Sequence, residues 1–203
     1  MSARRVTLLL ACGLFGAVSC SHAEVVSVPY AYGGKLVVAD FNQSAWRTNL
    51  GDPFGTWNSD PEDPTQFCRA RLVEEPRVGD VGFSLMLDYD VESPNPAFNG
   101  FWMKLPAVPL RNFRTLTFAI KGDPDRGFTR RVKLELKGKR RSATYVLDGI
   151  GADWVRMRVP LEAFRSIEKV REATELVIVF DEETVTQRVG TIYLDEVTFE
   201  SSS

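Results

Sequence analysis

Eight side chains in four short segments have the chemistry to hold a polyhydroxylated ligand. They are Asp88 and Asp90 in SLMLDYDV, Trp102 and Lys104 in FWMKL, Lys121 in LTFAIKGD, and Lys133, Glu135 and Lys137 in VKLELK. Each lies on the polar parity of an alternating stretch, opposite apolar runs such as Leu85, Leu87 and Tyr89 or Val132, Leu134 and Leu136. A β-strand sends alternate residues to opposite faces, so every one of these segments has a core side and a water side. If the four strands share one sheet, its outer face is a lattice of opposite charges with an indole in it. Cross-strand ion pairs account for such charges at roughly 0.2 to 1 kcal/mol each. They do not account for Trp102, because a large aromatic on a wet face exposes apolar area of the kind that marks an interaction surface. A flat ring that meets C–H groups, surrounded by donors and acceptors for hydroxyls, suits a saccharide.

The elements that must position these residues read as short strands bounded by Gly, Pro, Asp or Asn. Ten segments fit, from KLVVADF at Lys35 to GTIYLDEVTFE ending at Glu200. They are rich in β-branched and aromatic residues, and that density of turns predicts an all-β, jelly-roll sandwich of two antiparallel sheets. One helix is expected over 161–174, where Phe164, Ile167 and Val170 recur at roughly helical spacing. The stretch around Trp57 reads as a Gly/Pro loop whose indole caps the sandwich edge or forms one wall of a groove, and Tyr89 reads as core. Of the 203 residues, 44% are hydrophobic and 26% charged, with a net charge of −2. That is an ordinary globular composition with enough chain for one core, and its interspersed charges give no footprint for nucleic acid.

The N-terminus reads as an export signal. Arg4 and Arg5 precede an apolar run from Val6 to Val18, too short to span a bilayer. Two cleavage readings stay open: AVSC resembles a lipobox and would leave Cys20 lipidated, whereas SHA before Glu24 suits an ordinary peptidase. The expected organisation is therefore a signal peptide over 1–23, a tail over 24–35 and a domain over 36–200. The expected location is the periplasm, the outer membrane by a lipid anchor, or the medium. Cys12 and Cys20 fall in the leader, which leaves Cys68 as the one thiol of the domain and allows no disulfide within it. Cys68 sits on an alternating stretch and reads as a small buried hydrophobe. The sole histidine, His22, lies outside the domain, which excludes Ser–His and Cys–His catalysis and imidazole-based zinc sites there. Asp88, Asp90 and Glu135 could form a glycosidase-like carboxylate set, but lysine neighbours lower the pKa that a general acid needs raised. A noncatalytic protein is expected.

The segments GDPFGTWNSDPEDPTQFC, LDYDVESPNPAFNGFWMKL, FAIKGDPDRGFTRRVKLELK, WVRMRVPLEAF and GTIYLDEVTF together resemble galactose-binding-domain-like β-sandwich proteins. The similarity is strongest to family 11 carbohydrate-binding modules and the complex I intermediate-associated protein 30 domain, and it extends over 36–199. It implies a jelly-roll sandwich that binds rather than catalyses: a saccharide on a polar concave face, or alternatively a protein partner in an assembly role. It also implies a structural calcium where the first and last strands meet. The matching positions are Asp40 and Asp195, with Glu196 beside them, and Asn42 stands where related modules place Glu. Calcium takes six to eight oxygens, so backbone carbonyls would complete the shell. Failing calcium, the two aspartates would satisfy turn and strand-end N–H groups.

Overall fold

Twelve strands form within residues 31–32 and 34–201, which are those described by the computed structural model. One sheet contains β1 (Ala31–Tyr32), β2 (Lys35–Ala39), β4 (Phe67–Val73), β5 (Ser84–Asp90), β7 (Thr115–Gly122), β10 (Val155–Pro160) and β12 (Val189–Glu200). The other has the order β3 (Phe54–Asn58), β6 (Phe98–Pro109), β11 (Glu172–Asp181), β8 (Arg131–Lys137) and β9 (Ser142–Asp148). Every pairing is antiparallel. The expected all-β sandwich is thus the observed architecture.

The core lies between the sheets and is built from the apolar parity of each strand. Leu85, Leu87 and Tyr89 of β5 and Leu116 and Ile120 of β7 meet Phe101 and Met103 of β6 and Leu176 and Phe180 of β11. Tyr89 stacks on Phe180 across the interlayer, with ring centroids 4.1 Å apart and planes 4° from parallel. Burying one such side chain contributes about 1.5 to 3 kcal/mol, so alternation alone is enough to fix which face of each strand turns inward.

Strand β12 organises the larger sheet. One edge pairs with β7, whereas the other pairs with β5 over Val189–Leu194 and with β2 from Val197 onward. The change of partner falls at a bulge between Asp195 and Thr198, where Glu196 adopts a φ of 51°. An extra residue in one strand bends it and re-aims its neighbours.

Two expectations need correction. Residues 161–174 do not form a helix: two 3-10 turns, Leu161–Ala163 and Ile167–Lys169, are followed by β11 from Glu172. Tertiary pairing overrides the helical spacing, because Arg165 exchanges backbone hydrogen bonds of 2.7 and 3.1 Å with Thr144 of β9 and Ser166 takes a φ of 67°. Phe164 and Val170 are buried in the core from this extended path. The Gly/Pro stretch around Trp57 is not a loop but β3, paired with β6 from Phe54 to Asn58. Strand β1 and the start of β2 lie within the stretch read as tail.

Candidate functional site on the five-stranded sheet

The outer face of the five-stranded sheet can be laid out row by row from its register. In strand order, one row reads Gly55, Trp102, Val177, Glu135 and Thr144. The next reads Trp57, Gly100, Val179, Lys133 and Val146. Beyond the first row, Lys104, Glu175 and Lys137 stand side by side on β6, β11 and β8.

The two indoles are held by reciprocal glycine pairs. Trp102 lies opposite Gly55, and Trp57 opposite Gly100. A Cβ on Gly55 would fall 2.9 Å from Cζ2 of Trp102, and one on Gly100 would fall 3.1 Å from Nε1 of Trp57 and 2.2 Å from the Ile178 carbonyl oxygen. Each indole therefore lies over the bare backbone of its partner strand, a placement that any larger residue would disturb. The two tryptophans sit two positions apart along neighbouring strands, about 7 Å in strand rise. Phe98 meets Trp57 edge-on at 5.7 Å, and the Lys104 ammonium is 5.3 Å from the Trp102 ring centroid, within cation–π range. Both indoles are partly exposed.

Charged groups frame this aromatic strip and are largely paired with one another. Glu175 receives Lys104 on one side and Lys137, at 3.1 Å, on the other; Lys137 is 3.9 Å from Glu135, and Lys133 reaches Asp181 at 2.9 Å. The row of alternating charges on β8 thus interlocks with the carboxylates at the two ends of β11. Burial alone would raise the Glu175 and Asp181 carboxyls, but hydrogen bonds from Lys104 and Lys137 to Glu175, and from Lys133 and Thr184 to Asp181, hold both below the ordinary range. Such groups stay ionised at neutral pH and donate no proton. Val177 and Val179 point outward, yet both are buried, closed over by the long side chains around them.

The eight residues expected to share one face divide between two. Trp102, Lys104, Lys133, Glu135 and Lys137 come together on the five-stranded sheet, while Asp88, Asp90 and Lys121 belong to β5 and β7 of the other. There Asp88 accepts hydrogen bonds from Arg71 at 2.7 Å, Thr191 at 2.7 Å and Arg126 at 3.2 Å. Asp90 caps the Glu92 N–H at 2.8 Å, and Lys121 donates to the Ala152 carbonyl at 2.5 Å. The physical reason is simple: alternation assigns a residue to a face of its own strand, not a strand to one of two sheets. Glu135 and the two aspartates therefore cannot act as a glycosidase pair.

Trp57, which the sequence reading left open as an edge cap or a groove wall, completes the face together with Glu175 and Asp181, which it passed over. A signal for Trp57 was present, since FGTWN and NGFWM both read Gly-x-Trp. Two such segments paired antiparallel place each tryptophan against the other's glycine.

Asp40 and Asp195 flank the β2–β12 junction, but their oxygens are engaged by N–H groups. Asp195 accepts from Val78 N at 3.0 Å and Glu196 N at 2.8 Å, one on each oxygen; Asp40 accepts from Asn42 N at 3.1 Å. Glu196 turns to Arg156 instead. Each Asp195 oxygen accepts one N–H, and among the described residues no group of three or more His, Cys, Asp or Glu is placed to hold a metal. The arrangement matches the alternative reading, in which these side chains satisfy turn and strand-end backbone. Cys68 is buried, and burial pushes its thiol well up, so it packs as a hydrophobe and is no nucleophile. Cys20 and the leader lie outside the described residues.

No protein-family profile matches the sequence, and no curated protein matches it. Among solved structures, the fold resembles the family 11 carbohydrate-binding module of the cellulosomal cellulase Lic26A-Cel5E of Clostridium thermocellum, with a TM-score of 0.60 and 12% identity over 83% of this chain and 95% of that one. A family 11 module of the same organism in complex with a β-1,3-1,4-mixed-linked tetrasaccharide matches with a TM-score of 0.60 and 12% identity over 83% and 96%. The CBM27-1 module of Caldicellulosiruptor saccharolyticus in complex with mannohexaose matches with a TM-score of 0.55 and 9% identity over 83% and 98%. At such identities the likeness is one of fold alone: a β-sandwich of the kind seen in these modules.

Proposed function

We propose that the protein is a noncatalytic saccharide-binding module of an exported bacterial envelope or secreted protein, and that the outer face of the five-stranded sheet is its binding surface. The observation that carries this is the reciprocal Gly–Trp pairing, which lays two indoles side by side on a face that would otherwise be charged. Trp57 and Trp102 supply platforms for the apolar sides of sugar rings. Lys104, Lys133 and Lys137 retain N–H donors beyond their ion pairs, and Glu135, Glu175 and Asp181 retain acceptor capacity for hydroxyls. Two of the solved structures of similar fold are complexes with a β-1,3-1,4-mixed-linked tetrasaccharide and with mannohexaose. Among the exposed large hydrophobics of the described residues, Phe98 and Val146 belong to this same face and extend its apolar strip, while Val37, Val81 and Val189 lie on other elements.

Few contacts replace well-made water bonds on an open face, so affinity is expected on the order of 10⁻³ to 10⁻⁵ M. Titration of the protein with mixed-linkage β-glucan and manno-oligosaccharides, read by tryptophan fluorescence and calorimetry, tests the site. Trp57→Ala and Trp102→Ala should each weaken binding about tenfold or more, a base-stacking-sized loss of about 1 to 3 kcal/mol. Unchanged binding of a screened glycan by the double variant would remove this face from consideration.

A further inference from the structure

The sandwich has ends of opposite charge. Strands β6, β8, β10 and β12 finish at one end, where β7, β9 and β11 begin. Three links meet there; the β4–β5 link, 74–83, with Glu74, Glu75 and Asp80 against Arg77, leaves the same end but is held beside the β12 bulge by the hydrogen bond from Val78 N to Asp195. The β6–β7 link carries Arg111 and Arg114, the β8–β9 turn Lys139, Arg140 and Arg141, and the β10–β11 link Arg165, Lys169 and Arg171. These eight cations face two carboxylates in the same links, Glu162 and Glu168, with Glu172 at the first position of β11. At the far end the links 59–66, 91–97, 123–130, 149–154 and 182–188 hold nine carboxylates against three arginines. All eight cations are exposed, and seven of them make no side-chain ion pair or hydrogen bond within the described residues; only Lys169 has neighbours, Glu168 at 3.9 Å and Ser166 at 3.4 Å. Elsewhere this protein pairs its charges, as the sheet faces show.

The basic end is also where the molecule is hollowed. A depression of about 690 Å³ is floored by Leu110, Phe113, Leu161 and Val170 and rimmed by Arg111, Arg114 and Arg171 together with Glu162, Glu168 and Glu172. A second, of about 540 Å³, adjoins it beside Lys139, Arg140 and Arg141. Backbone hydrogen bonds hold the rim: Leu110 N to Arg171 O at 3.0 Å, Leu161 N to Arg114 O at 2.8 Å, and Arg114 N to Glu200 O at 2.7 Å. The guanidiniums thus hang from a fixed frame, and among the described residues none of the three pairs with a glutamate of the rim, which leaves their N–H donors open to an anionic group.

The chain enters the domain at this same end. Tyr32 pairs with Lys35, Lys35 with Glu200, and Ser201 N donates to Gly34 O at 2.7 Å. The sequence ahead of it was read as an export leader with a lipid-bearing alternative at Cys20; from Cys20 to Ala31 an extended chain reaches at most about 40 Å. β1 runs toward this end, and an anchor at Cys20 would lie within that distance of it, close enough for the basic end to meet the bilayer.

We propose that the basic end is a docking surface for an anionic lipid bilayer, with headgroup phosphates entering among Arg111, Arg114 and Arg171. Docking there leaves the Trp57–Trp102 face on the side of the sandwich, free for a ligand. The attraction is electrostatic and falls off within a Debye length, so it is sensitive to salt.

Cosedimentation of the full chain with phosphatidylcholine vesicles and with vesicles doped with phosphatidylglycerol tests this. Arg4 and Arg5 of the leader would themselves favour the anionic vesicles, and that contribution is common to the wild type and the variants. The wild-type protein should bind the anionic vesicles far more tightly at low ionic strength and lose that preference at high ionic strength. The triple variant R111A/R114A/R171A should lose on the order of 100-fold of the preference, while K104A/K133A/K137A, which removes the same charge from the sheet face, should keep it. Equal binding of the wild type to both vesicle types overturns the proposal without any variant. Capture by soluble polygalacturonate but not by anionic vesicles overturns it as well, and would assign the end to an acidic polysaccharide. Neither result bears on glycan binding by the tryptophans, which is read separately.

Discussion

Asp195 shows how one carboxyl can be retained for geometry at a cost in stability. It is 1% exposed. Burial, with the nearby charges of Glu196 and Asp40, pushes its pKa up to about 6, while the N–H groups of Val78 and Glu196 act in the opposite direction. A folded-state pKa above the unfolded value of 3.8 means that the folded protein binds the proton more tightly. The stability this contributes is full below pH 4 and is lost as pH rises to about 6, with an upper bound on the order of 3 kcal/mol. Asp195→Asn abolishes that titration but leaves one of the two N–H groups facing an amide NH2. The variant should therefore be less stable than wild type at pH 4, and the gap should narrow toward pH 7. Urea unfolding of both proteins at pH 4, 5, 6 and 7 gives the difference directly; a gap independent of pH would show that Asp195 does not titrate in this range. The reciprocal glycine–tryptophan pairs are the other case in which single residues decide geometry, since each needs a bare Cα opposite the indole.

At the scale of elements, the bulge in β12 makes a prediction of opposite sign to the usual one. In a regular strand Gly is less stable than Ala by roughly 0.5 to 1 kcal/mol. Glu196 has a φ of 51°, a conformation that costs a side-chain-bearing residue about 1 to 2 kcal/mol. Glu196→Gly should therefore be more stable than Glu196→Ala by about 1 kcal/mol, both having lost the half-exposed pair with Arg156; chemical denaturation that ranks Ala above Gly would mean that the bulge relaxes in the variants. The bulge also marks the limit of what was legible beforehand. Inward and outward parities were readable from alternation, as Leu134 and Lys133 or Leu87 and Asp88 show, because period-two burial leaves its imprint on the sequence. Sheet membership was not. Asp88 and Lys133 stand on equally polar outer faces of different layers, and nothing local separates them. The extended path of residues 164–171 was hidden for a related reason: the bridge between Arg165 and Thr144 is a tertiary contact, and the spacing of Phe164, Ile167 and Val170 satisfied a helix equally well. Trp57 was misplaced because Gly and Pro around it outweighed a five-residue strand that exists only by pairing with β6.

The whole molecule has one core shared by two sheets, and this determines how it should unfold. The stack of Tyr89 on Phe180 joins the strands that carry Asp88 on one outer face to those that carry Lys133 and Glu175 on the other. A core that is contiguous across the interlayer leaves neither sheet with a buried face of its own, so loss of one exposes the other. In a W46F/W154F background, Trp57 and Trp102 report on the five-stranded sheet, and far-ultraviolet circular dichroism reports on both sheets. The two signals should trace one transition in urea, with a single midpoint, as small single-core domains do. Phe180→Ala removes one half of the stack from a site with no measurable exposure and should cost about 3 to 5 kcal/mol. Because the lost contacts belong to both layers, the variant should shift the fluorescence and dichroism midpoints together. Separation of the two curves, with fluorescence lost first, would show that the five-stranded sheet opens as an independent unit. The binding face would then be the least stable part of the molecule, and ligand affinity would fall with denaturant well before the larger sheet unfolds.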